Sequence, residues 1–228
     1  MFTLNEVVPW GRSFDEYRRI FALTPRDFAG TILGCADGPA SFNAEGTRSG
    51  VAIVSCDPLY RFDGPAIRTQ IDATYEQIME QMRGNMSEFV WTAIPSIDAL
   101  SRLRIRAMET FLSDYDAGKA QHRYIDAELP QLPFETASFD LAICSHFLFL
   151  YAAQLTSDFH RAAFDELCRV AREVRVFPLI ELGGMPSPHV EPARAHLVSQ
   201  GFDVTIETVD YEFRRGGNQM MRIAAAHK

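Results

Sequence analysis

Apolar residues recur along the chain in two rhythms. One is a set of short, strand-length runs: residues 30–33, 51–55, 124–125, 139–144, 174–178, 202–209 and 220–226. Several end in turn-forming residues, such as Gly34 after the first run and Cys56-Asp57-Pro58 after the second. The other rhythm is helical, with apolar residues three or four apart over residues 158–172 and 191–200. Near the start, Ser13 stands three residues before Glu16, a capping-box spacing, and Phe14, Tyr17, Ile20 and Phe21 share one face of the helix it opens. Strands alternating with helices predict βαβ units and a largely parallel sheet. The last two runs are joined only by residues 210–219, too few for a crossover helix. They predict an antiparallel pair at the edge of the sheet, turned around Gly216-Gly217-Asn218.

One interval breaks the alternation. Residues 59–123 separate the second run from the third by far more than a crossover needs. Within it, residues 67–82 place Ile71, Tyr75, Ile78 and Met82 on one helical face. Residues 97–115 do the same with Leu100, Leu103, Ala107, Phe111 and Leu112. The expectation is a single domain, residues 1–228, of the α/β class. It has a Rossmann-like seven-stranded, mostly parallel sheet with an antiparallel terminal strand. Residues 59–123 form a helical insertion between strands 2 and 3 that caps the sheet.

Composition narrows the function. Hydrophobic residues make up 47% of the chain, enough for a core, and charged residues 23%. The formal net charge is −8 and no basic run is present, which argues against a nucleic-acid partner. No stretch reaches the roughly 20 apolar residues of a membrane span. Met1 to Trp10 lacks the basic flank and apolar run of a secretory signal. Cys35, Cys56, Cys144 and Cys168 have no paired short spacing, which suits reduced thiols in a cytoplasmic protein. Three thiols near strand ends lack an evident fourth ligand, so no metal is expected.

The chemistry concentrates at the ends of the strand runs. Ile32-Leu33-Gly34-Cys35-Ala36-Asp37-Gly38-Pro39-Ala40 reads as a strand, a loop of small residues, and a helix starting near Ser41. Small residues let backbone approach a ligand, and loop amides at a helix start favour negative groups. The spacing is not G-x-G-x-x-G, and a tight turn that merely needs glycine fits it as well. Asp57, about 20 residues on, fits two roles: an acceptor for the hydroxyls of a ribose, or a cap before Pro58.

A third segment adds a resemblance. Tyr124-Ile125-Asp126-Ala127-Glu128-Leu129-Pro130 precedes Leu132-Pro133-Phe134 and then Ser138-Phe139-Asp140, which opens an apolar strand ending in Cys144-Ser145-His146. In this order, with the first loop and Asp57, the chain resembles the class I S-adenosylmethionine (SAM)-dependent methyltransferases, outside the insertion. The resemblance implies SAM as cofactor and methyl transfer to a small molecule. It implies that Gly34, Cys35, Ala36, Asp37 and Gly38 run beside the amino-acid part of SAM, and that Asp57 and Pro58 meet the ribose. Leu59 would face the adenine, Asp126 and Ala127 its edge, and Ser145 and His146 the junction with the acceptor. The chain departs from the family at Ile32, where an acidic residue is usual, and at Ala36, where glycine is usual. Those departures keep open a non-catalytic SAM-binding protein; a nicotinamide-dependent oxidoreductase is a more distant alternative.

On the acceptor side, His146 is the best-placed titratable group for catalysis, against the plainer reading of a structural histidine at a helix start. Tyr151, Arg214 and Arg215 are candidates for holding the acceptor, against the plainer readings of core aromatic and solvated hairpin. Ser187-Pro188-His189 is a further rim candidate, and Trp10-Gly11-Arg12 can fold over the cleft from the N-terminal side.

Overall fold

The computed structural model describes residues 8–226; most of the N-terminal segment read above, residues 1–7, lies outside them. Seven strands form one sheet: β1 (Thr31–Cys35), β2 (Ala52–Cys56), β3 (Tyr124–Ile125), β4 (Phe139–Ser145), β5 (Ala171–Phe177), β6 (Phe202–Thr208) and β7 (Gln219–Ala225). Their spatial order is β3-β2-β1-β4-β5-β7-β6. β7 alone runs against its neighbours, inserted between β5 and β6. This is the Rossmann-like α/β sheet with one antiparallel terminal strand expected from the chain's alternation. The strand order reverses between β1 and β4, which pair in parallel from Ile32↔Leu141 to Cys35↔Cys144.

The parallel strands are apolar on both faces because both faces are covered. Along β4 the residues alternate. Ala142 and Cys144 face a core shared with Phe164 and Leu167 of α5 (Ser157–Val170) and Leu197 of α6 (Val190–Ser199). Leu141 and Ile143 face another, with Tyr17 and Ile20 of α1 (Phe14–Ile20) and Phe42 of α2 (Phe42–Arg48). Tyr17 stacks on Phe42 at a centroid distance of 4.6 Å. The expected capping box is present: Glu16 N donates to Ser13 Oγ while Ser13 N donates to Glu16 Oε2. Cys35, Cys56 and Cys144 lie in register across β2, β1 and β4 as buried free thiols. Among the described residues no helix is long and apolar enough to cross a membrane.

The long interval holds α3 (Gly64–Gly84) and α4 (Ile97–Ala120). Each begins on a side-chain cap, Asp63 accepting from Ala66 N and Ser96 accepting from Ala99 N. α4 runs past its expected end because Tyr115 and Tyr124 pack together with Tyr60 and Phe111 in a core of their own. α4 packs against α2 and leads straight into β3, so it also serves as the crossover helix between β2 and β3. α3, packed on α4, the segment carrying Phe89, and Arg104 of α4 reach the cleft.

Candidate functional site

The sheet opens a cleft at the carboxyl ends of β1, β2 and β4. That is where open α/β sheets bind ligands, at the point where strand order reverses. Ala36, Asp37 and Gly38 line it from the loop after β1, Asp57 from the end of β2, and Ser145 and His146 from the end of β4.

The loop is built around one carboxylate. Asp37 folds back over Gly34, so that a Cβ on Gly34 would stand 1.9 Å from Asp37 Oδ2; only glycine leaves that space. Tyr17 Oη donates to Asp37 Oδ1 at 2.7 Å and Ser55 Oγ donates to Oδ2 at 2.6 Å. Burial pushes Asp37 up to about 6, against those two hydrogen bonds, which favour the carboxylate; neighbouring Asp57 raises it further. Ile32, where the family pattern has an acidic residue, is a fully buried core residue. The negative charge here comes from Asp37 instead. Ala36 takes φ +55°, a backbone conformation easier for the glycine that usually stands there.

Asp57 does what a cap does: its Oδ1 accepts from Leu59 N and its Oδ2 from Gly38 N, both at 2.8 Å. A carboxylate has about four acceptor positions, so two remain for a ligand. Burial raises its pKa to about 6 as well, opposed by those two amides.

At the opposite lip, His146 takes φ +55°, a strained backbone for a side chain of its size. Its amide donates to Phe177 O at 2.6 Å, and its Nδ1 is hydrogen-bonded to Ser145 Oγ at 2.8 Å. Burial holds its pKa well below the usual histidine value, helped by the positive charges of Arg12 and Arg104. The ring is therefore neutral near pH 7, and its Nε2 has no hydrogen-bond partner among the described residues.

The remaining wall is aromatic and basic. Trp10, Ile78, Met82, Phe89 and Phe213 line it, with Arg12, Arg104 and Arg214 among them. Arg104 makes a bidentate pair with Glu16 at 2.6 and 2.7 Å, and Tyr211 Oη donates to Glu16 Oε1 at 2.9 Å. Arg214 pairs with Glu88 and lies over the Phe89 ring.

Of the residues expected from sequence, Ala36, Asp37, Gly38, Asp57, Ser145, His146, Tyr151 and Arg214 come together around the cleft. Gly34 and Cys35 lie buried behind the loop. Pro58, Leu59, Asp126 and Ala127 stand outside the lining, with Leu59 in the core of the insertion and Asp126 exposed, 3.9 Å from Arg61. Arg215 is exposed and turns back to the carbonyls of Ser87 and Phe89. His189 stacks on His160 at 4.2 Å, away from the cleft, and Ser187 is buried nearby.

Sequence reading missed Tyr17, Glu16, Arg104 and Tyr211. Arg104 had a signal: it falls on the apolar stripe of α4, four residues after Leu100 and three before Ala107. Glu16 had none, because the capping box already accounted for it.

No protein-family model matches the chain. The uncharacterised protein MJ0045 of Methanocaldococcus jannaschii is 32% identical over 221 residues, covering 96% of this chain and 97% of that one. Among solved structures, magnesium protoporphyrin IX methyltransferase of Synechocystis, with bound SAM, aligns over 93% of this chain and 91% of its own at 11% identity and a TM-score of 0.46. A SAM-dependent methyltransferase of Methanosarcina mazei aligns over 90% of this chain and 99% of its own at 12% identity and a TM-score of 0.45.

Proposed function

The chain belongs to one family with protein MJ0045 of Methanocaldococcus jannaschii, and we propose that it is a class I SAM-dependent methyltransferase acting on a small-molecule acceptor. The observation that carries this reading is the convergence of the Gly34–Gly38 loop, Asp57 and the Ser145-His146 pair on one cleft at the reversal point of the sheet. The donor set fits SAM. Asp57 keeps two acceptor positions suited to a ribose diol, and Asp37 offers a carboxylate to an ammonium or sulfonium.

When bound, SAM supplies an electrophilic methyl: its carbon–sulfur bond breaks as the acceptor's lone pair bonds the carbon, and the electron pair stays on sulfur in S-adenosylhomocysteine. The protein's part is alignment and exclusion of water. Trp10, Met82, Phe89 and Phe213 give the acceptor apolar walls. His146, neutral and with Nε2 free of partners among the described residues, is the group to take a proton from an acceptor that carries one.

Calorimetry with SAM, S-adenosylhomocysteine and NAD tests the reading. Both adenosyl ligands are expected to bind, and more tightly than NAD. Tighter binding of NAD, or no binding of either adenosyl ligand, sinks it.

A further inference from the structure

Arg12 is held in place by its backbone, while its side-chain Nε has no partner among the described residues. Its backbone is fixed: Arg12 O accepts from Ser41 N at 3.0 Å, at the start of α2. The preceding residue, Gly11, lies so close to the loop after β1 that a Cβ there would come within 2.1 Å of Pro39 O. The guanidinium lines the cleft, and its Nε is enclosed with no acceptor in reach. No ion pair is formed by Arg12 among the described residues. The carboxylate whose charge bears on Arg12, Glu16, is already held by both arms of the Arg104 fork and by Tyr211.

Among the described residues the charges around this wall do not cancel: Arg104 is paired with Glu16 and Arg214 with Glu88, while Arg12 forms no ion pair. A part-buried guanidinium whose Nε is shut away from water and which forms no ion pair among the described residues is a group that a ligand can complete. Its planar fork suits a carboxylate, and a surplus of one charge matches a monoanion better than a phosphate dianion. Trp10, Phe89, Phe213, Met82 and Ile78 surround the place with apolar and aromatic surface. His146 and Tyr151 both feel the Arg12 charge, so an anion held there lies beside the proposed proton acceptor.

We propose that Arg12 selects the methyl acceptor, and that the acceptor is a small apolar or aromatic carboxylate whose carboxylate group Arg12 binds. The word acceptor rests on the methyltransferase reading; carboxylate binding at Arg12 does not.

The test is calorimetry with 2-naphthoate and its neutral isostere 2-naphthamide, on the ligand-free protein and on protein saturated with S-adenosylhomocysteine. Wild type is expected to bind naphthoate about tenfold more tightly than naphthamide; Arg12→Gln is expected to erase that preference and Arg12→Lys to restore part of it. Equal binding of the two probes, binding of neither, or a preference that survives in Arg12→Gln overturns the proposal. A second arm compares S-adenosylhomocysteine with 5′-methylthioadenosine, which lacks the amino-acid carboxylate. Their affinities are expected to be the same in Arg12→Gln as in wild type. A selective loss of S-adenosylhomocysteine binding assigns Arg12 to the cofactor's own carboxylate and overturns the proposal as well. If S-adenosylhomocysteine fails to bind wild type while naphthoate is still preferred, the methyltransferase reading falls and the carboxylate site stands.

Discussion

Asp37 and Asp57 form the floor of the cleft, and Arg12, Arg104 and Arg214 stand in its wall; the two sets of charges are held in different ways. Each floor carboxylate has two protein donors on it: a tyrosine and a serine for Asp37, two backbone amides for Asp57. The wall answers charge with charge, in the Glu16–Arg104 and Glu88–Arg214 pairs. Hydrogen bonds from neutral donors keep a carboxylate in place without cancelling it, so the floor stays negative and attracts a cation. Ion pairs cancel, so among the described residues the wall keeps the charge of Arg12. A cleft negative at one end and positive at the other suits two ligands of opposite charge side by side.

Breaking the wall pair gives the largest expected effect. Glu16 and Arg104 are 4% and 0% exposed. Glu16→Ala strands Arg104 and Tyr211, and is expected to cost about 3–5 kcal/mol in denaturant unfolding. The double variant Glu16→Leu/Arg104→Met is expected to recover much of that loss. A Glu16→Ala midpoint equal to wild type would mean that the pair does not hold α1 against α4.

The floor is tested next. Asp57→Ala removes the acceptor for two loop amides as well as for the ligand, and is expected to weaken S-adenosylhomocysteine binding by about 2 kcal/mol, roughly 30-fold. Unchanged affinity removes Asp57 from ligand binding and leaves it as a cap alone.

The pH dependence follows from the direction of the floor shifts. Asp37 and Asp57 are each raised to about 6. They are neutral below that pH and charged above it. Binding that needs a carboxylate is therefore lost as pH falls through 6, by about tenfold between pH 7 and pH 5 for each group involved. Affinity of S-adenosylhomocysteine that rises on acidification contradicts a negatively charged floor.

The smallest effect separates the two ends most cleanly. Arg12→Met removes a part-buried charge that forms no ion pair among the described residues, its attraction to Glu16 being shared with the Arg104 fork. It is expected to raise stability by about 1 kcal/mol, or about 2–4 °C in melting temperature for a chain of this length. A drop of that size instead would show that Arg12 is already satisfied in the free protein.

Much of this was legible in the chain. The seven strand runs, the reversal at residues 210–219 and the capping box at Ser13 and Glu16 all stand, because periodicity and caps are local signals. The loop after β1 and Asp57 were legible for the same reason: a strand's carboxyl end is fixed by the strand. Helix ends were less so. α5 stops at Val170 and β5 begins at Ala171, although the helical pattern continued to residue 172; pairing of Phe139 with Ala171 claims those residues for the sheet. Leu59 and Asp126, placed beside the cofactor by resemblance, stand outside the cleft. Their surroundings are set by residues 60–124, which the family pattern does not cover.

What the sequence by itself determined is the set of elements and the line of strand ends from Gly34 to His146. Both depend on neighbours a few residues away. What only the tertiary structure decided is the charge of the acceptor wall. Glu16, Arg104 and Tyr211 are separated by 88 and 195 residues from Glu16 onward, yet meet in one hydrogen-bonded cluster. Whether an arginine in the cleft wall is neutralised or left over is a property of that cluster as a whole, so Arg12 becomes a binding group only once the pairing around it is known.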